Sequence, residues 1–356
     1  MTIPEDAYQK LARVFSNREN KVLEIEIISP TLGSPFLEDG TSVGITKKAL
    51  AQAYTVARHL FVKRLMSMSE DKLMASLETK TQPEGQSDLA ITEVMLLFDC
   101  EHLTACNWRK RRLRAAVMHC LNTTDQVSPT IQMLETELTL MTTYQCSPLH
   151  RHTKSPTLWS HRLWVLRQLI LLQRWSPGTL LELERKELTG VLRAAELHPK
   201  NYYAFGYMRQ LHALLAKSTT NVKLGPDRSA ELAEALVHPV LDWCLAHPRD
   251  ISGWIFGQYL LSNVADREGR EYAVGRVLRF ARDVGWEGES LWTFVDQALR
   301  EFGLESVIDD IFGLDGDVPT LAREPKEPSL QTRPWQARLE RARAYWTANG
   351  RGTNPQ

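Results

Sequence analysis

The stretch LHPKNYYAFGYMRQLHALL, residues 197–215, opens a helix whose first half is unusually specified. Pro199 precedes a Lys-Asn-Tyr triplet, an aromatic follows at Phe205, and an Arg at 209. Asn is a strong helix N-cap, because its side-chain oxygen accepts a hydrogen bond from a backbone N–H that the first turn leaves unpaired. A second phrase, KSPTLWSHRLWVLRQL at 154–169, has the same grammar: a Lys, a Pro, an aromatic at Trp159 and an Arg three residues on at 162. Two such phrases indicate a repeat.

Anchoring on the aromatic of each phrase gives Trp108, Trp159, Phe205, Trp254 and Trp292, at separations of 51, 46, 49 and 38 residues. Each interval holds one further amphipathic stretch, for example IQMLETELTLMTTY before Trp159 and LLELERKELTGVLRAAEL before Phe205. The unit is therefore a helical hairpin of roughly 35–50 residues, and a hairpin of that size buries its apolar face only by stacking on its neighbours. The expected fold is all-α, a right-handed α-α superhelix: a crescent solenoid of helical hairpins with a short N-terminal strand segment.

Within the 156–170 helix, Trp159, Leu163, Leu166 and Ile170 fall on one stripe, which makes the aromatic the start of a buried seam. Arg162 projects from nearly the same side, where it is expected to stack on an indole or satisfy helix-end carbonyls. Pro156 suits the first helical position, whose N–H is unpaired anyway. Asn201 and Asp250, at matching places, are expected caps.

Upstream, KVLEIEIISP alternates as a strand does, and it is the one strand the pattern supports. Three segments result: an N-terminal extension over 1–45, a helical-repeat domain over 46–315, and a Pro-rich charged tail over 316–356 with one candidate helix, PWQARLERARAYW. Lys plus Arg (43) equals Asp plus Glu (43), so no global field draws nucleic acid or an anionic membrane. Five cysteines without a C-x-x-C pair suit reduced thiols in a cytosolic or nuclear setting. The most apolar run, LWVLRQLILL, is too short to span a bilayer and is broken by Arg167, so no stable membrane insertion is expected.

A helix-start Asn, an aromatic four residues on and an Arg three beyond it, in tandem hairpins over roughly 88–303, resemble the protein prenyltransferase alpha-subunit repeat. The best match is HPKNYYAF, then SPTLWSHRLWVL, then HPRDISGWIFGQYLL, with TACNWRKRRL and ESLWTFVDQAL as degenerate outer copies. SVGITKKAL and the opening segment look most like the divergent alpha-subunit repeat-containing proteins, fungal members among them. Phe205 replaces the Trp of the phrase, Met208 takes the place of its Arg, and Gly257 and Val295 do so in the last two copies.

The resemblance implies an alpha-type chain wrapped around a separate beta-type prenyltransferase subunit. Zinc, the prenyl diphosphate and the C-terminal cysteine of the substrate protein would sit on that partner, with no cofactor on this chain and a cytoplasmic location. It also implies that the alpha chain lends a lysine to the diphosphate and tyrosines beside it. By repeat order these correspond to Lys154 and Tyr202, and by spelling to Lys200; the alternative is solvated lysines and a packing tyrosine at helix starts. The runner-up function is a non-catalytic adaptor. CSPLHRH offers Cys146, His150 and His152 as a metal set or a solvated loop. Arg109, Lys110, Arg111, Arg112 and Arg114 form a basic cluster, read first as a solvated or salt-bridged face, next as a partner patch and last as a nucleic-acid site.

Overall fold

A computed structural model describes residues 4–67, 83–123, 127–217 and 228–312, with Ala337, Glu340, Arg341 and Ala344 beyond them. Those four are helical; the rest of the C-terminal tail and of its candidate helix lies outside the described residues. The chain divides into two compact units, Met1–Leu211 and His212–Gln356.

The first unit begins with α1 (Pro4–Ser16), followed by strands β1 (Glu24–Ile28), β2 (Phe36–Asp39) and β3 (Ser42–Thr46). Two of these strands were not expected. They form one sheet in the order β1-β3-β2, with β1 parallel and β2 antiparallel to β3. The outer edge of β1 is covered by a helix, α5 (Val127–Cys146): the Leu23 amide donates to Thr143 Oγ1 (3.0 Å) and the Ile25 amide to Ser147 Oγ (2.9 Å). Covering an edge in this way satisfies donors that would otherwise pair with another chain.

Helix α2 (Lys47–Ser67) packs with α1 and α3 (Pro83–Phe98) around Leu11, Phe15, Ile45, Phe61 and Met95. The hairpins follow. Helices α4 (Leu103–Thr123) and α6 (Pro156–Leu172) pack on each other, α5 packs on α7 (Pro177–Leu197), and α8 (Tyr202–Lys217) begins the next turn. Pairing like helices of successive hairpins is the stacking that a helical repeat requires.

The second unit repeats the scheme with α9 (Arg228–Ala246), α10 (Ile251–Asn263), α11 (Arg267–Asp283), α12 (Glu289–Phe302) and the short α13 (Ser306–Phe312). Here α9 packs on α11 and α10 on α12. Trp254, Phe256, Trp292 and Phe294 are fully buried between them.

Candidate partner-facing site

The phrase at each helix start resolves into capped turns. Ser155 caps α6 by accepting from the Leu158 amide (3.1 Å), Asn201 caps α8 from the Ala204 amide (3.1 Å), and Asp250 caps α10 from the Ser252 amide (2.9 Å). Lys200, just before the cap, lies in the left-handed region at φ 60°, which turns the chain sharply into α8. Pro156 occupies the first turn of α6 as expected. Three aromatics then repeat one bond: the indole Nε1 donates to the carbonyl six residues back, Trp159 to Thr153 (2.9 Å), Trp254 to Pro248 (3.0 Å) and Trp292 to Trp286 (3.0 Å). Phe205 has no such donor. In its copy Asn201 Nδ2 reaches the Thr153 carbonyl instead (2.7 Å).

The repeated grammar also builds a buried ion-pair ladder. Arg162 grips Glu187 with two bonds, from Nε (2.6 Å) and Nη2 (2.8 Å), and its Nη1 donates to Thr142 Oγ1 and the Leu138 carbonyl. Arg109 grips Glu137 in the same way (2.8 and 2.6 Å), and its Nη1 donates to Thr92 Oγ1 and the Leu89 carbonyl. Each glutamate takes a further partner from the next inner helix, His161 for Glu137 (2.7 Å) and the Tyr207 hydroxyl for Glu187 (2.5 Å). Bidentate geometry and extra hydrogen bonds are what make a buried charge tolerable. Burial alone would raise the Glu137 pKa, but Arg109 and the bonds from His161 and Arg109 hold it well below the carboxylate range. Burial opposes a charge on His161, yet neighbouring Cys106 and Glu137 push its pKa up to about 9.

This ladder corrects two expectations. Arg162 serves Glu187 rather than an indole or helix-end carbonyls. The first copy is anchored on Cys106, not Trp108: His102 Nδ1 caps α4 through the Ala105 amide (3.2 Å), so the aromatic position is 106 and the arginine position is 109. Arg109 is thereby removed from the surface cluster; it is 2% exposed. In the second unit Gly257 faces Phe294, Leu241 and Val240 where an arginine would stand, and the ladder gives way to apolar packing.

The inner helices frame a cleft of about 350 Å³ in the first unit, lined by Lys110 of α4, Pro156, Trp159, Trp164 and Arg167 of α6, and Tyr202, Tyr203, Tyr207 and Gln210 of α8. Tyr202 and Tyr203 are 47% and 48% exposed, and among the described residues their hydroxyls make no hydrogen bond. Of the sequence-derived candidates, Tyr202 lines this cleft; Lys154 and Lys200 do not. Lys154, half-buried in the turn before α6, is close enough to His198 to depress its pKa, after the larger effect of burial and alongside His150. The His150 and His198 rings lie 4.3 Å apart.

CSPLHRH does not form a metal set: His152 is buried on the Leu96 carbonyl (2.9 Å), Cys146 points at the Gly190 carbonyl (3.5 Å), and no group of three or more metal-ligating side chains occurs among the described residues. The loop is mixed: Ser147, Leu149 and His152 are buried, Pro148, His150 and Arg151 are exposed, and burial pushes His152 down to about 4. All five cysteines are free thiols. No helix among the described residues is long and apolar enough to cross a membrane.

The sequence profile of the protein prenyltransferase alpha subunit repeat matches residues 184–215, from the buried glutamates of α7 through the Asn201 cap into α8. Over these residues the chain is similar to that repeat. It is 26% identical over 219 residues to protein prenyltransferase alpha subunit repeat-containing protein 1 of Danio rerio, an alignment covering 57% of this chain and 44% of that protein. The chain thus spans less than half the length of that relative. Within the repeat, Glu187, Asn201 and Tyr207 are the residues that join one hairpin to the next.

Proposed function

We propose that this chain is a cytoplasmic alpha-type subunit that pairs with a beta-type prenyltransferase subunit, supporting transfer of an isoprenoid, geranylgeranyl in preference, to a C-terminal cysteine of a target protein. The observation that carries this reading is the pair of half-exposed tyrosines at the motif-bearing start of α8. Asn201 and Phe205 beside them are buried and build the hairpin, whereas Tyr202 and Tyr203 do neither and line the cleft with cations. Aromatic surface of this kind is typical of what a partner covers.

The partner would hold zinc and the prenyl diphosphate, the metal supplying an activated thiolate. Lys154 and Lys200 stand at equivalent places, each directly before its cap, and are the residues of this chain suited to follow phosphate oxygens as their charge grows. Tyr202 would add a hydroxyl donor beside them. Co-expression with candidate beta-type subunits, followed by size exclusion, tests the reading: a stable complex is expected, and separate elution from every candidate would overturn it.

A second reading, a non-catalytic adaptor, is favoured by Pro156. It lines the cleft at the position that Tyr202 holds in the next copy, so one of the two tyrosines is missing. A complex that forms without any prenyl transfer would select this alternative.

A further inference from the structure

The three inner helices of the first unit differ from their outer partners in charge. α4, α6 and the whole of α8 contain no Asp or Glu, whereas α5 carries two glutamates and α7 four. In a chain whose charges balance overall, that is a local segregation. Two of the arginines on these helices, Arg109 and Arg162, are consumed by the buried ladder. Lys110, Arg111, Arg114 and Arg167 are not: among the described residues none of the four forms an ion pair. Arg111, Arg114 and Arg167 are exposed, and Lys110 and Arg167 border the cleft. Along α4, Asn107, Arg111, Arg114, Met118 and Leu121 recur every three or four residues on the exposed side, so one stripe runs from polar through basic to apolar. Leu171 is likewise exposed at the end of α6.

We propose that the face built by these acid-free helices, centred on the tyrosine- and tryptophan-lined cleft, docks an acidic segment of a partner polypeptide, with one aromatic or aliphatic side chain of that segment seated in the cleft. The inference rests on the reading of the chain as a partner-binding subunit and names the chemistry of what it binds. Unpaired cations complement carboxylates and steer their approach, while the aromatic walls supply the desolvated anchor pocket of an interface hot spot. At about 350 Å³ the cleft lies at the small end of the range of ligand pockets and has room for one or two large side chains. Exposed Met118, Leu121 and Leu171 flank the cations, a setting that suits a polypeptide with mixed side chains better than a continuous phosphate backbone.

The test uses the full chain and fluorescence anisotropy with a labelled peptide in which one Phe is flanked by runs of Glu and Asp. Binding in about the micromolar range is expected, weakening with added salt and by about tenfold when the Phe is replaced by Gly. Arg167→Glu, and separately the pair Arg111→Glu and Arg114→Glu, should each weaken binding by about tenfold or more; all three sites are exposed, and unchanged thermal melts would confirm an intact fold. Equal or tighter binding of oligothymidylate, binding of anionic phosphatidylserine vesicles but not the peptide, or indifference to the charge reversals would overturn the proposal. If the chain binds the peptide but pairs with no beta-type subunit, this inference stands and the prenyltransferase reading falls. If it pairs but the charge reversals leave the complex unweakened, the reverse holds.

Discussion

Asn201 donates from Nδ2 to the backbone carbonyl of Thr153 at 2.7 Å, across 48 residues of sequence. The same carbonyl accepts the Trp159 indole at 2.9 Å, so one oxygen ties the second copy's aromatic to the third copy's cap. While its amide group bridges, the other end of the Asn201 side chain caps α8. The Lys-Asn-Tyr triplet is therefore divided in labour. Its middle residue holds two hairpins together, while Lys200 and Tyr202 on either side of it are exposed.

Asn201→Ala should cost about 2–3 kcal/mol, the sum of a lost cap and a lost buried hydrogen bond. Asn201→Asp retains capping ability yet should cost at least as much, because it sets a carboxylate against the Thr153 carbonyl in a buried site. Urea melts of the two variants decide it. If Asp is the milder change, the bridge to Thr153 contributes little.

Arg162→Met leaves Glu187 buried with only the Tyr207 hydroxyl, and a stranded charge of this kind costs about 3–5 kcal/mol. Arg162→Lys should recover only part of that, since a single ammonium cannot reproduce the two parallel bonds of the fork. Arg109→Met should behave alike at Glu137, and the midpoints of denaturant unfolding report both. A cost below about 1 kcal/mol would mean that water reaches the glutamates.

Trp159→Phe copies what the third copy already has at Phe205, and it should cost about 1–2 kcal/mol for the lost indole bond. Trp159→Ala removes a side chain that is 3% exposed and should cost about 3–5 kcal/mol. An unchanged midpoint for the alanine variant would reassign the aromatic seam to a binding surface.

Much of this was legible before any coordinates. The hairpin period, the caps at Asn201 and Asp250 and the buried aromatics were legible because each depends on helix periodicity or on local side-chain chemistry at a helix start. The ladder did not come through. Arg109 sits in a run of cations and reads as surface, although it shares a face with Cys106, Leu113 and Ala116, all buried. Glu137 lies in the apolar stripe of Leu134, Leu140 and Tyr144, and a carboxylate in such a stripe is the signal that a partner must exist. Strands β2 and β3, four and five residues long, are too short for alternation to stand out; the first ends in Glu-Asp and the second has Gly44 at its centre. Which tyrosines would face outward depends on where the helices converge, and that is a tertiary property.

His161 and His152, whose pKa values move in opposite directions, predict for their part a stability maximum near pH 6.5. His161, raised to about 9 when folded against about 6.5 unfolded, contributes stability that is complete below 6.5 and lost as pH rises through 9. His152, lowered to about 4 by burial, acts in the opposite direction, because the unfolded chain gains a proton first as pH falls from 6.5 to 4. Glu137, also held low, loses its contribution in acid, below the unfolded carboxylate value. His161→Gln should flatten the limb between pH 6.5 and 9, and His152→Gln should shallow the limb between 4 and 6.5. Urea melts at a series of pH values supply both slopes, and an alkaline limb that survives in His161→Gln would place its origin elsewhere.

Under the proposed function, Lys154, Lys200 and Tyr202 are the residues of this chain expected to contribute to prenyl transfer. Lys154 and Lys200 are equivalent by the repeat, since each precedes its cap, Ser155 or Asn201. They differ in setting: Lys154 is half-buried beside His198, whereas Lys200 is exposed at a left-handed turn. Repeat order is a firmer guide to position in a solenoid than local spelling, and it points to Lys154. Lys154→Ala should therefore lower kcat for transfer to a C-terminal cysteine peptide more than Lys200→Ala does, with assembly of the co-expressed complex unchanged, as expected when an interaction is made mainly in the transition state. Tyr202→Phe should lower kcat by less than Lys154→Ala, because it removes a neutral donor. If Lys200→Ala alone slows turnover, the partner approaches the start of α8 rather than that of α6. If no variant slows it while the complex persists, the lysines are surface residues and the chain acts as a scaffold.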